Sequence, residues 1–278
     1  MISRLVALSL ALSVSAAAFA EDDYDKAIAA YRKDDFKAAR TLAEAATKAD
    51  PKREDAHSLL GMVCMQLKDN DAAVAAFTKV IELKPNSLAG YDRRGDARLK
   101  AGDFKGSVAD FDKVLELRPE IAPEHWRRGI ALYYAGKYAD GAKQFETHKK
   151  ANPEDVENAA WHYLCNAKVV GKEKARKELI DVTKDSRVPM KEIQKLFAGT
   201  LTPADVLAAA EKEKADSQAG IEARFYAHLY LALWYESEGD GKKVLEHLVP
   251  AVEKYEIGHY MWAVGNVHLK TLKAGEKK

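Results

Sequence analysis

Two doubled arginines, Arg93-Arg94 and Arg127-Arg128, stand out in this chain. A guanidinium presents a planar fork of donors that can hold a carboxylate through two hydrogen bonds. Such pairs therefore suit either a partner's acid or an ion pair inside the fold. The eight histidines and two cysteines are the other groups able to do chemistry. No two histidines have the i, i+4 spacing that lets one helix face hold a metal, so no metal ligands are expected. No GxSxG, HExxH, GxxxxGK or CxxC is present, and neither catalytic residues nor a cofactor are expected. Gly239-Asp240-Gly241 reads as a tight turn rather than a ligand loop.

The elements that must position these residues follow from a repeat. Pro51, Pro85, Pro119 and Pro153 recur at one constant interval, and Gly61, Gly95 and Gly129 recur at the same interval. That interval, about 34 residues, is the period of the tetratricopeptide repeat, a helix-turn-helix unit. With each glycine at position eight, Phe77, Phe111 and Phe145 fall at position 24, and Ala73, Ser107 and Gly141 at position twenty. Small residues at eight and twenty let two helices approach, while the aromatic fills the space beside them. Gly102 and Gly136 suit the left-handed end of a first helix, and Asp103 suits the cap of a second. The expected fold is all-α: a right-handed superhelical solenoid of tetratricopeptide repeats, with an irregular helical segment and a C-terminal capping helix. Four repeats cover residues 21–153. Residues 154–220 hold a degenerate repeat and irregular helices, including one over KEKARKELIDVTK, and 221–278 hold a further repeat and the cap.

Residues 1–20 carry an early Arg4, an apolar run from Leu5 to Val14 and a small-residue ending at Ala20, the pattern of an export signal. The apolar run is shorter than a membrane span requires. Export to the periplasm or outside the cell is expected, without a lipid anchor, because the first cysteine is Cys64. Cys64 and Cys165 lie about three repeats apart, too far to bridge in a solenoid. Without Arg4 the basic residues equal the 43 acidic ones, a balance that excludes a strongly basic nucleic-acid binder.

In this fold the first helix of each repeat lines the concave side, and positions five, nine and twelve form one stripe. That stripe is Ser58, Met62 and Met65, then Asp92, Asp96 and Leu99, then Trp126, Ile130 and Tyr133. Arg93 and Arg127 stand beside it as candidate holders of a partner's carboxylate. Arg94 and Arg128 at position seven suit internal pairs, Arg94 facing Asp110. The stripe suits a peptide or protein segment, since methionine and aromatic side chains supply contact area at small ordering cost. Two alternatives stay open: helices after Gly171 could fold back and fill the groove, or the stripe could serve contact between copies of the chain.

Three segments together resemble the NlpI-type periplasmic tetratricopeptide proteins: RRGIALYYAGKYADGAKQF at 127–145, FAGTLTPADVLAAA at 197–210 and LYLALWYESEGD at 229–240. The resemblance implies a non-catalytic, homodimeric adaptor in the cell envelope. Its implied partners are peptidoglycan hydrolases and a C-terminal processing protease. The family's lipid-anchoring cysteine is missing from this chain. The other readings are a self-associating structural envelope protein and, remotely, an enzyme with an unfamiliar site.

Overall fold

A computed structural model describes residues 22–275, so the export signal expected at 1–20 lies outside the described residues. The repeat period becomes a row of antiparallel helix pairs. Repeat one is α1 (Asp23–Arg32) with α2 (Phe36–Ala49), and repeat two is α3 (Glu54–Gln66) with α4 (Asn70–Leu83). Repeat three is α5 (Leu88–Ala101) with α6 (Phe104–Leu117). A 3-10 turn over Pro119–Glu124 then leads to repeat four, α7 (Trp126–Tyr134) with α8 (Tyr138–His148).

Each first helix stops at a residue with left-handed backbone. Glycine takes this place in repeats three and four, with Gly102 at φ 90° and Gly136 at φ 75°; Asp34 and Lys68 take it in repeats one and two at φ 58°. A side chain in that conformation costs roughly 1–2 kcal/mol, so packing rather than local preference ends the first two helices there. Asp35, Asp69 and Asp103 then cap α2, α4 and α6 through their carboxylates. The close approach is strictest at position eight. A methyl group on Gly61, Gly95 or Gly129 would sit 2.6–2.7 Å from the ring of Phe77, Phe111 or Phe145 in the same repeat. Ser107 adds a buried hydrogen bond, its hydroxyl donating to the Gly95 carbonyl at 2.7 Å.

Helix α9 (Val156–Val170) stacks on α8, and its residues from Val156 to Cys165 are all buried. Beyond it the expectation of a short helix over the whole of KEKARKELIDVTK needs correction: α10 is only Lys172–Lys177. Ile180 and Val182 alternate inward as in an extended chain, and both are buried. The Ile180 carbonyl accepts from Gln194 at 2.8 Å. The Thr183 and Lys184 amides donate to Glu154, so the backbone is satisfied without a helix. Two short helices follow, α11 (Met190–Phe197) and α12 (Pro203–Glu211), the latter opened by a capping box of Thr202 and Asp205. The last pair is α13 (Gln218–Glu238) with α14 (Gly241–Glu253), joined through Gly239 at φ 84°. Cys64 and Cys165 are both free and buried, and burial pushes the Cys165 thiol up to about 12.

Helix α15 (Tyr260–Gly275) is not a simple end cap. It packs on α14 and also reaches α5, so the chain's end returns to the middle of the solenoid. No described helix is long and apolar enough to cross a membrane.

The C-terminal pair carries a pH dependence. His228 and His247 face each other with their Nδ1 atoms 3.1 Å apart. Burial, and then the neighbouring His247, push His228 down to about 4; burial also pushes His247 and His268 down. The unfolded chain keeps histidine near 6.5, so between about pH 6.5 and 4 it binds more protons than the fold does. Stability is complete above that window and declines as pH falls through it. We expect unfolding free energy to drop by about 1 kcal/mol between pH 7.5 and 5 after solvent screening is allowed for, with His228→Gln removing part of the slope. Urea titrations at the two pH values measure it; equal midpoints would refute it.

Candidate protein-binding groove

The stripe is split by the returning C-terminus. Tyr260 of α15 donates to Asp96 at 2.6 Å and sets its ring edge-on to Trp126 at 4.8 Å. Lys100 lies 4.7 Å over the Tyr260 ring, and Lys68 pairs with Glu256 and covers Trp262. One repeat further on, the Tyr133 hydroxyl donates to Glu236 of α13 at 3.1 Å, and Tyr134 meets Nδ1 of His268 at 3.1 Å. Burial pushes both tyrosines far above their ordinary range, with the Glu236 charge adding to it. These two side chains are interior.

The eleven candidate residues therefore divide. Leu99, Ile130 and Tyr133 are 0–4% exposed and belong to the continuous core, where an open surface was expected. The reason is tertiary: Glu236 of α13 and His268 of α15 cover Tyr133 and Tyr134, while Asp185 and Arg187 from the segment 171–220 share one cleft with Trp126, Ile130 and Met261. Trp126 keeps a partly open face beside Tyr260. Arg127 and Asp92 pair with each other, one guanidinium nitrogen standing 2.8 Å from both oxygens. Met62, Met65, Arg93 and Asp96 come together in a cleft of about 260 Å³, and Ser58 lines an adjoining one of about 340 Å³. Met62 and Tyr31 belong to both, which makes them one continuous groove on repeats one to three.

Sequence reasoning omitted the groove's other wall. Tyr24, Ile28 and Tyr31 of α1 line it, and they stand one repeat period before Ser58, Met62 and Met65. Carrying the same stripe back by one period would have found them. Phe77, Gln66 and Lys100 complete the floor and rim.

The arginines sort by partner. Arg94 grips Asp110 with two nitrogens at 2.7 and 2.9 Å, and Arg98 adds a third contact at 2.8 Å. Arg128 binds Asp112 and Gln144. A second cleft of about 400 Å³, between α7–α9 and residues 259–261, holds Arg187. That guanidinium is already shared by Asp155, Glu157 and Asp185 at 2.5–2.8 Å. Its charge is internally neutralised, and burial pushes Glu157 up against the opposing pull of Arg187. Among the described residues no group of three or more His, Cys, Asp or Glu is placed to hold a metal ion.

Comparison with known proteins agrees with this architecture. Residues 24–87 and 93–156 match the family described as tetratricopeptide repeat. Among solved structures, a tetratricopeptide repeat protein from Parabacteroides merdae is 14% identical, covers 89% of this chain and 97% of its own, and has a TM-score of 0.57. MamA is 18% identical over 56% of this chain and 85% of its own, with a TM-score of 0.52. A MamA fragment from Desulfovibrio magneticus RS-1, also 18% identical, covers 56% of this chain and 88% of that one at 0.51. At such identities the likeness is one of fold. No curated protein matches the sequence. The repeat period, the glycine-phenylalanine packing and the family match agree: residues 24–87 and 93–156 of this chain are tetratricopeptide repeats.

Proposed function

We propose that the protein is a non-catalytic scaffold that binds other proteins through the groove on repeats one to three. The observation that carries this reading is the cleft in which Tyr24, Ile28, Tyr31, Met62 and Met65 stand with Arg93, while Tyr260 of the returning C-terminal helix meets its Asp96–Lys100 edge. Methionine and tyrosine suit such a surface: they give large contact area, and methionine adapts its shape to its partner. A groove built on rigid helices also holds its walls ready, which lowers the ordering cost of binding. The narrower role is an adaptor in the cell envelope that gathers peptidoglycan hydrolases and a processing protease. The signal-like residues 1–20 and the resemblance of residues 127–145, 197–210 and 229–240 support it.

The test is capture from an envelope extract on the purified protein and on Met62→Asp, with recovered proteins identified by mass spectrometry. Hydrolases or a processing protease retained by the parent and depleted at least tenfold by the variant are expected. Equal recovery on both would remove the groove from the reading. Recovery of the chain itself alone would replace it with self-association.

A further inference from the structure

The position-six arginines of repeats three and four perform one reach with two different partners. Arg127 extends back to position five of the preceding repeat, 35 residues earlier, and there meets the carboxylate of Asp92 at 2.8 Å. Arg93 makes the same reach of 35 residues and meets the hydroxyl of Ser58 at 2.9 Å. The two sites are internal controls for each other: same helix position, same direction, one acid and one alcohol.

The difference leaves a charge unmatched. A guanidinium has five N–H donors, and Ser58 occupies one without supplying negative charge. Among the described residues no carboxylate pairs with Arg93, although it is half-buried in the groove wall. Asp96 lines the same cleft, but Lys100 holds it at 2.9 Å and Tyr260 at 2.6 Å. A half-buried cation without a counter-charge is stabilised strongly by an anion that arrives with both oxygens free, because water competes poorly there. Asp92 demonstrates that a carboxylate fits at this reach.

We propose that Arg93 is the anion subsite of the groove, taking the side-chain carboxylate of an aspartate or glutamate in an extended partner peptide. Apolar side chains flanking that acid rest on Met62, Met65 and Tyr31. The proposal depends on the groove being a peptide site and adds the chemistry of the peptide. It also predicts self-competition: Ser58→Asp places in repeat two the carboxylate that repeat three already uses, and fills Arg93 from within.

Random octapeptides displayed on phage, selected on the immobilised full chain, on Arg93→Gln and on Ser58→Asp, test it. The parent is expected to enrich an acid at one position between apolar residues. Synthetic copies with that acid changed to its amide should bind the parent at least tenfold more weakly. Both variants, with unchanged helicity by circular dichroism, should lose the enrichment and the tenfold preference. Peptides enriched without an acid, or an acid preference that survives in Arg93→Gln, would overturn the subsite and leave the groove standing. If no peptide is enriched on the parent, both readings fall.

Discussion

Asp110→Ala is expected to lower the unfolding free energy by about 3–5 kcal/mol, a large part of the total for a chain of this size. The Asp110 side chain is 3% exposed and accepts from two guanidinia, Arg94 and Arg98, whose side chains are 13% and 22% exposed. Truncation leaves two partly buried positive charges facing each other, with Arg98 keeping only the exposed Asp103 at 3.5 Å. The desolvation of these groups has already occurred in the fold, so the loss is the uncompensated charge rather than the modest net value of an ion pair. Asp112→Ala is the control. Its carboxylate meets Arg128 at 2.7 Å but is 45% exposed. Water can replace such a partner at a cost below about 1 kcal/mol. Urea unfolding of both variants decides the matter; equal losses would show that burial does not set the strength of the Asp110 cluster.

Gly129→Leu is expected to cost about 3 kcal/mol, lowering Tm by roughly 6–12 °C. The added Cβ would fall 2.6 Å from the Phe145 ring, which itself is 1% exposed and packed near Trp161. The ring cannot withdraw without opening a cavity, so α7 and α8 must separate. Adding Phe145→Ala should recover part of the loss in the Gly129→Leu background, because the obstacle is then gone; strict additivity of the two would refute the contact. Gly258→Leu, with nothing within 4 Å of its Cβ, should leave thermal melting almost unchanged.

Both predictions were legible in the chain because they rest on repeat positions. The repeat period pairs position eight with 24 and position seven with 23 inside each unit. Gly129 and Phe145, like Arg94 and Asp110, follow from that register alone. The same register carried one period upstream points to Tyr24, Ile28 and Tyr31 as groove wall. The two cysteines also follow from it: a solenoid keeps units three apart from touching, and both thiols are free.

The period could not say which part of the concave stripe stays open. Tyr260 reaches Asp96 across 164 residues and His268 reaches Tyr134 across 134, contacts between a non-repeating helix and units far behind it. A repeat constrains each unit only toward its neighbours, so nothing in its pattern specifies where a chain end will return. That return covers Tyr133 and Tyr134 and leaves Met62, Met65 and Arg93 beside an open cleft. Likewise the helix expected through Ile180 and Val182 gives way because Glu154 and Gln194, distant in sequence, satisfy its backbone instead. By itself, then, the sequence determined the repeat, its internal packing and which residues share the concave face, since these arise from contacts within about one period. Only the tertiary structure decided how much of that face remains available, since burial there depends on the long-range docking of α13 and α15.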